Sequence, residues 1–94
     1  MRVTFSATGP LRKMVSSEGM LLDLPAETRI RDALFAVCEQ LGEQAAKTLL
    51  DDEGGLQRGV LMFLNNEMVP RNGANRALQD GDELTAVMSV AGGS

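Results

Sequence analysis

Ninety-four residues suffice for one domain with one core, because a chain of this size buries only somewhat more than the roughly 60% of unfolded surface typical of a 60-residue domain. With 44% hydrophobic and 23% charged residues, the composition excludes a disordered chain, and no apolar run approaches the roughly 20 residues of a membrane-spanning helix. A net charge of −4, scattered basic residues and the absence of Trp and Tyr argue against a nucleic-acid surface, while one Cys and no His leave neither a disulfide nor a Cys-His dyad nor a multi-ligand soft-metal site.

Residues 2–8 alternate, with Val3, Phe5 and Ala7 on one face and Thr4, Ser6 and Thr8 on the other, as in a half-buried strand. This start has no secretory apolar region, so the expected location is cytoplasmic. Gly9-Pro10 ends the strand. A polar connection then leads to Gly19 and a second strand, Met20 to Leu24, which Pro25 ends and which forms a hairpin with the first.

Thr28 is the expected N-cap of a helix of about three turns, with Ile30, Leu34, Val37, Cys38 and Leu41 in one apolar stripe and Gly42 as its stop. Cys38 reads as a small core residue. A shorter helix is expected over 43–50, with Ala45, Ala46, Leu49 and Leu50 on its apolar side. Asp51-Asp52-Glu53-Gly54-Gly55 lacks the spaced ligands of a calcium loop and reads as a solvated turn.

Val60 to Leu64 is nearly continuously apolar, which predicts a strand covered on both sides or lying at the sheet centre. Asn65-Asn66 suits a tight turn into a short return strand from Glu67 to Val69, ended by Pro70. Residues 71–77 are polar loop, and Asp80-Gly81-Asp82 is a turn. The last strand puts Leu84, Ala86, Met88 and Val90 on one face and runs into Ala91-Gly92-Gly93-Ser94. Two glycines without Cβ atoms can thread a channel too narrow for side chains and present a backbone carboxylate to a partner enzyme. Gly92-Gly93-Ser94 also reads as an ordinary frayed terminus or linker scar.

The helix start Thr28-Arg29-Ile30-Arg31-Asp32-Ala33-Leu34, the segment Leu49-Leu50-Asp51-Asp52-Glu53-Gly54-Gly55-Leu56, the hairpin Phe63-Leu64-Asn65-Asn66-Glu67, the turn Leu78-Gln79-Asp80-Gly81-Asp82-Glu83-Leu84 and the end Val90-Ala91-Gly92-Gly93 together resemble the ubiquitin-like sulfur-carrier family. That family includes the small subunit of molybdopterin synthase and the thiamine-pathway carrier. The resemblance implies an α+β, ubiquitin-like β-grasp fold, with a mixed four- to five-stranded sheet packed on one main helix. Residues 1–90 would form the domain and 91–94 a flexible tail.

It further implies a carrier and cosubstrate, not an enzyme. A ubiquitin-activating-like adenylating enzyme would use ATP to join AMP to the Gly93 carboxylate. Sulfide or a persulfide would then displace AMP, and the thiocarboxylate would pass sulfur to a synthase. No cofactor would be bound by the chain itself, and no metal, nucleic acid or membrane is expected. Gly93 would carry the reacting group, with Gly92 after Ala91 giving the tail its slender reach. The outer sheet face near the last strand, including Val87, would dock on the partner together with the adjoining Ser89 and Val90. Ser94 blocks the Gly93 carboxylate. A metal-dependent protease would remove it from a pro-form, or else it is a cloning residue. Met88-Ser89-Val90 replaces the proline-containing approach common in molybdopterin synthase small subunits, a departure from that branch. A ubiquitin-like modifier joined to lysines through Gly93, and a plain β-grasp interaction domain, are the alternatives.

Overall fold

Alternation in the first strand decides the layering. The computed structural model describes residues 1–9, 12, 15, 19–52, 55–70 and 73–88. Strand β1 (Arg2–Ala7) buries Val3 and Phe5 completely, and β2 (Met20–Asp23) returns antiparallel to it with Leu22 buried and Leu21 60% exposed. Gly19 opens β2 at φ 91°, where an added Cβ would stand 2.8 Å from Thr4 Cγ2 and 2.9 Å from Ser6 Oγ. Only glycine lets the chain enter the hairpin so close to β1.

Helix α1 (Ile30–Leu41) and the shorter α2 (Glu43–Leu49) follow, separated by Gly42 at φ 99°. Ile30, Ala33, Leu34, Val37 and Cys38 form the buried stripe of α1, and Ala45 and Leu49 that of α2. Strand β3 (Val60–Leu64) turns through Asn65 and Asn66 into β4 (Glu67–Val69), and β5 (Glu83–Met88) completes a five-stranded sheet in the order β2-β1-β5-β3-β4. The β1–β5 pair is parallel and the other pairs are antiparallel, so the sheet is mixed. This is the expected β-grasp architecture, with α2 added beside the main helix.

The core lies between one sheet face and the helices. Phe5, Leu22, Ile30, Leu49, Met62 and Leu84 are its largest fully buried side chains, and no buried polar residue occurs among the described residues.

Two expectations are corrected. Thr28 is not the N-cap; Arg29 holds that position without a side-chain cap bond. The reason is tertiary. Arg29 pairs with Ala77, Ile30 N–H donates to the Arg76 carbonyl at 3.0 Å, and Arg31 N–H donates to that of Ala74 at 3.0 Å, so a neighbouring segment satisfies the donors a side chain would otherwise cap. Thr28 instead donates through Oγ1 to the Pro25 carbonyl at 2.7 Å. The second correction concerns β3, which is neither central nor covered on both sides. Val60, Met62 and Leu64 are buried, whereas Leu61 is 38% exposed, and the central strand is β5. Both helices pack on one face, and among the described residues no layer covers the apolar residues of the other.

Candidate functional site

Strand β5 is held on both sides. Its residues Leu84 to Ala86 lie in register with Phe5 to Ala7 of β1, and Leu84 to Met88 run antiparallel to Leu64 to Val60 of β3. Thr8 N–H donates to the Ala86 carbonyl at 3.0 Å, which extends the β1 side of the pairing. The start of the strand is fixed as firmly. Asn65 Oδ1 accepts the Glu83 N–H at 2.9 Å, Asn65 Nδ2 donates to Asp82 Oδ1 at 3.0 Å, and the other Asp82 oxygen accepts the Gln79 N–H at 2.8 Å. A strand anchored this way is a rigid base for whatever follows Met88.

Of the predicted site residues, only Val87 is described. Ser89, Val90, Ala91, Gly92, Gly93 and Ser94 lie outside the described residues. Val87 is half-buried on the uncovered sheet face, directly opposite Leu61. One row along, Phe63 stands between Met68 of β4 and Thr85 of β5. Residues paired directly across strands share a face, so Leu61, Val87, Phe63 and Met68 form one apolar patch beside the C-terminal end of β5. Leu61 and Met68 are 38% and 58% exposed. Sequence reasoning singled out Val87 but missed the other three. A usable signal was present: the Asn65-Asn66 turn fixes Phe63 opposite Met68, and period-2 alternation then sends Leu61 to the same face.

Other candidate chemistry is weak. Cys38 is buried, and burial pushes its thiol above the ordinary value, the condition of an inert core thiol. Asp51 is used structurally, accepting the Gly55 N–H through Oδ1 at 2.9 Å inside a turn closed by the Leu50–Leu56 bridge. No group of three or more His, Cys, Asp or Glu among the described residues is arranged to hold a metal ion. No described helix is long and apolar enough to cross a membrane.

The sequence model of the ThiS family matches residues 9–93, nearly the whole chain and all of the predicted tail but Ser94. The chain belongs to the ThiS family. This is a family of ubiquitin-like sulfur carriers, small proteins that work with partner enzymes. Among solved structures, SAMP1 of Haloferax volcanii is similar at 22% identity and a TM-score of 0.80, over 98% of this chain and 99% of that one. Urm1 of Trypanosoma brucei is similar at 19% identity and a TM-score of 0.76, over 97% and 94%. The Amycolatopsis orientalis BexX/CysO complex contains a chain 27% identical to this ThiS-family protein, with a TM-score of 0.68 over 96% and 98%. No curated protein sequence matches the chain significantly.

Proposed function

We propose that this ThiS-family protein is a cytoplasmic sulfur carrier whose Gly93, once Ser94 is removed by hydrolysis of the Gly93–Ser94 bond, bears the sulfur as a thiocarboxylate. The observation that carries the reading is the family match over residues 9–93, which brings Gly92-Gly93 into the matched region behind the doubly paired strand β5. A free α-carboxylate is ionised at neutral pH and is a poor electrophile, so activation falls to a partner. A carboxylate oxygen of Gly93 attacks the α-phosphorus of ATP on an adenylating enzyme, and pyrophosphate leaves. Hydrosulfide then adds to the acyl carbon, the C–O bond to AMP breaks with its electron pair, and the thiocarboxylic acid so formed loses its sulfur proton to solvent, leaving a thiocarboxylate. No atom is oxidised or reduced. A synthase then accepts the sulfur.

The body contributes binding. Ordering Val90 to Gly93 in a channel costs about 4 to 8 kcal/mol at roughly 1 to 2 per residue. Covering Leu61, Phe63, Met68 and Val87 offsets part of that, at about 1 kcal/mol for each half-exposed side chain. The apolar patch is therefore the docking face for the adenylating enzyme.

The test is intact-mass spectrometry of the chain ending at Gly93 after incubation with its adenylating enzyme, ATP and sulfide. The expected product is heavier by the exchange of one oxygen for sulfur, and Gly93→Ala lowers its yield at least about tenfold. An unchanged mass, with the enzyme active on another carrier, would overturn the assignment. A second reading, conjugation to lysines through Gly93, draws support from the name of the structurally similar small archaeal modifier protein 1. It predicts lysine-linked adducts in the same assay when a protein acceptor replaces sulfide.

A further inference from the structure

A second surface lies on the helical side. Phe35, Cys38, Gly42, Ala46 and Leu50 form the floor of an open groove of about 530 Å³ between α1 and α2, with Glu39 and Glu43 on its rim. Phe35 is one of three phenylalanines in the chain and is 42% exposed, on the side of α1 that the sheet does not cover. Glu43 stands 3.6 Å from Lys47 in an exposed pair of the kind that yields readily to a competing cation.

Charge is distributed unevenly around this groove. From Asp32 to Glu53 the chain carries six acids and one base, whereas the rest of it carries seven acids and eight bases. The groove-lining stretch from Phe35 to Leu50 carries Glu39 and Glu43 against Lys47, and Asp51 and Asp52 follow directly after Leu50, so the surroundings of the groove are net negative. Such a field repels anionic lipid, nucleic acid and the chain's own C-terminal carboxylate, and attracts a cationic partner.

The groove also has a defined position. The first turn of α1 is bonded to residues 74–76, near the turn that starts β5, so its last turn and α2 lie at the other end of the domain. There Gln57 N–H donates to the Leu49 carbonyl at 2.9 Å, Val60 N–H donates to that of Gln57 at 3.2 Å, and Val60 pairs with Met88. The groove therefore lies at the end of the domain where β5 finishes at Met88.

We infer that the α1–α2 groove is a second docking site, separate from the sheet patch, for a basic amphipathic segment of a partner protein. An aliphatic or aromatic side chain of that segment fills the floor beside Phe35, and flanking Lys or Arg residues pair with Glu39 and Glu43. Having two faces lets one domain engage two proteins near the end where β5 finishes.

The experiment titrates the nitrogen-labelled full chain with a short synthetic amphipathic peptide of leucine and lysine, followed by NMR amide shifts, in parallel with the same peptide carrying glutamate for lysine. Saturable shifts are expected at Phe35, Glu39, Ala46 and Leu50 with the lysine peptide alone. The double variant Glu39→Gln, Glu43→Gln should weaken binding about three- to tenfold, and Phe35→Ala about tenfold. Equal binding of the glutamate peptide, shifts centred on Leu61 and Val87, concentration-dependent shifts at the groove without peptide, or no shifts would each overturn the inference. No adenylating enzyme or tail chemistry enters the assay, so its failure is distinct from a failure of the sulfur-carrier reading.

Discussion

Two leucines on neighbouring strands separate stability from recognition. Leu84 of β5 is fully buried, and truncating it leaves a cavity under the centre of the sheet. Leu84→Ala should lower unfolding free energy by about 2 to 5 kcal/mol in urea titration, with little direct effect on the outer face. Leu61 of β3 points the other way and is 38% exposed. Leu61→Ala should change the unfolding free energy by less than about 1 kcal/mol, yet raise the KM for this protein as a substrate of its adenylating enzyme. An unchanged KM would remove Leu61 from the docking face. The difference between these leucines was half legible in the sequence. Alternation in the final strand set Leu84 on the face opposite Val87, but the apolar run Val60 to Leu64 concealed its own alternation because both faces of β3 are apolar.

At the scale of elements, the turn chemistry was readable and its long-range use was not. Asn65 and Asn66 both have positive φ, 52° and 70°, as the β3–β4 hairpin requires. Their residue types and the flanking apolar runs predicted that. Nothing local indicated that the Asn65 side chain would bond Asp82 and the Glu83 N–H, 17 and 18 residues away, and so tie the hairpin to the start of β5. Asn65→Ala should therefore lose about 1 to 3 kcal/mol, combining the strain of a left-handed alanine with two lost hydrogen bonds, whereas Asn66→Gly should be neutral or slightly stabilising. Urea midpoints of the two variants check this. Equal midpoints would mean that Asn65 serves only as a turn residue. The start of α1 teaches the same lesson: Thr28 has the right residue type for a cap, but the carbonyls of Ala74 and Arg76 already take the first helical donors.

At the scale of the molecule, the proposed division into body and tail makes a testable demand. Among the described residues, every buried core residue lies between Val3 and Ala86, so a chain ending at Val90 retains all of them and should unfold at the same urea concentration as the full chain. It also retains Leu61, Phe63, Met68 and Val87 while lacking the carboxylate proposed to react. If the sheet patch supplies the binding energy, this body is a competitive inhibitor of adenylation of the chain ending at Gly93. Its inhibition constant should lie within about tenfold of the KM, because removing the tail also removes the entropic cost of ordering it. If most affinity came from the diglycine in its channel, the body would not compete at concentrations far above the KM. Initial rates of pyrophosphate release decide between these outcomes. Adding Leu61→Ala to the truncated body tests the cause, since it should relieve inhibition only if docking through that patch produces it.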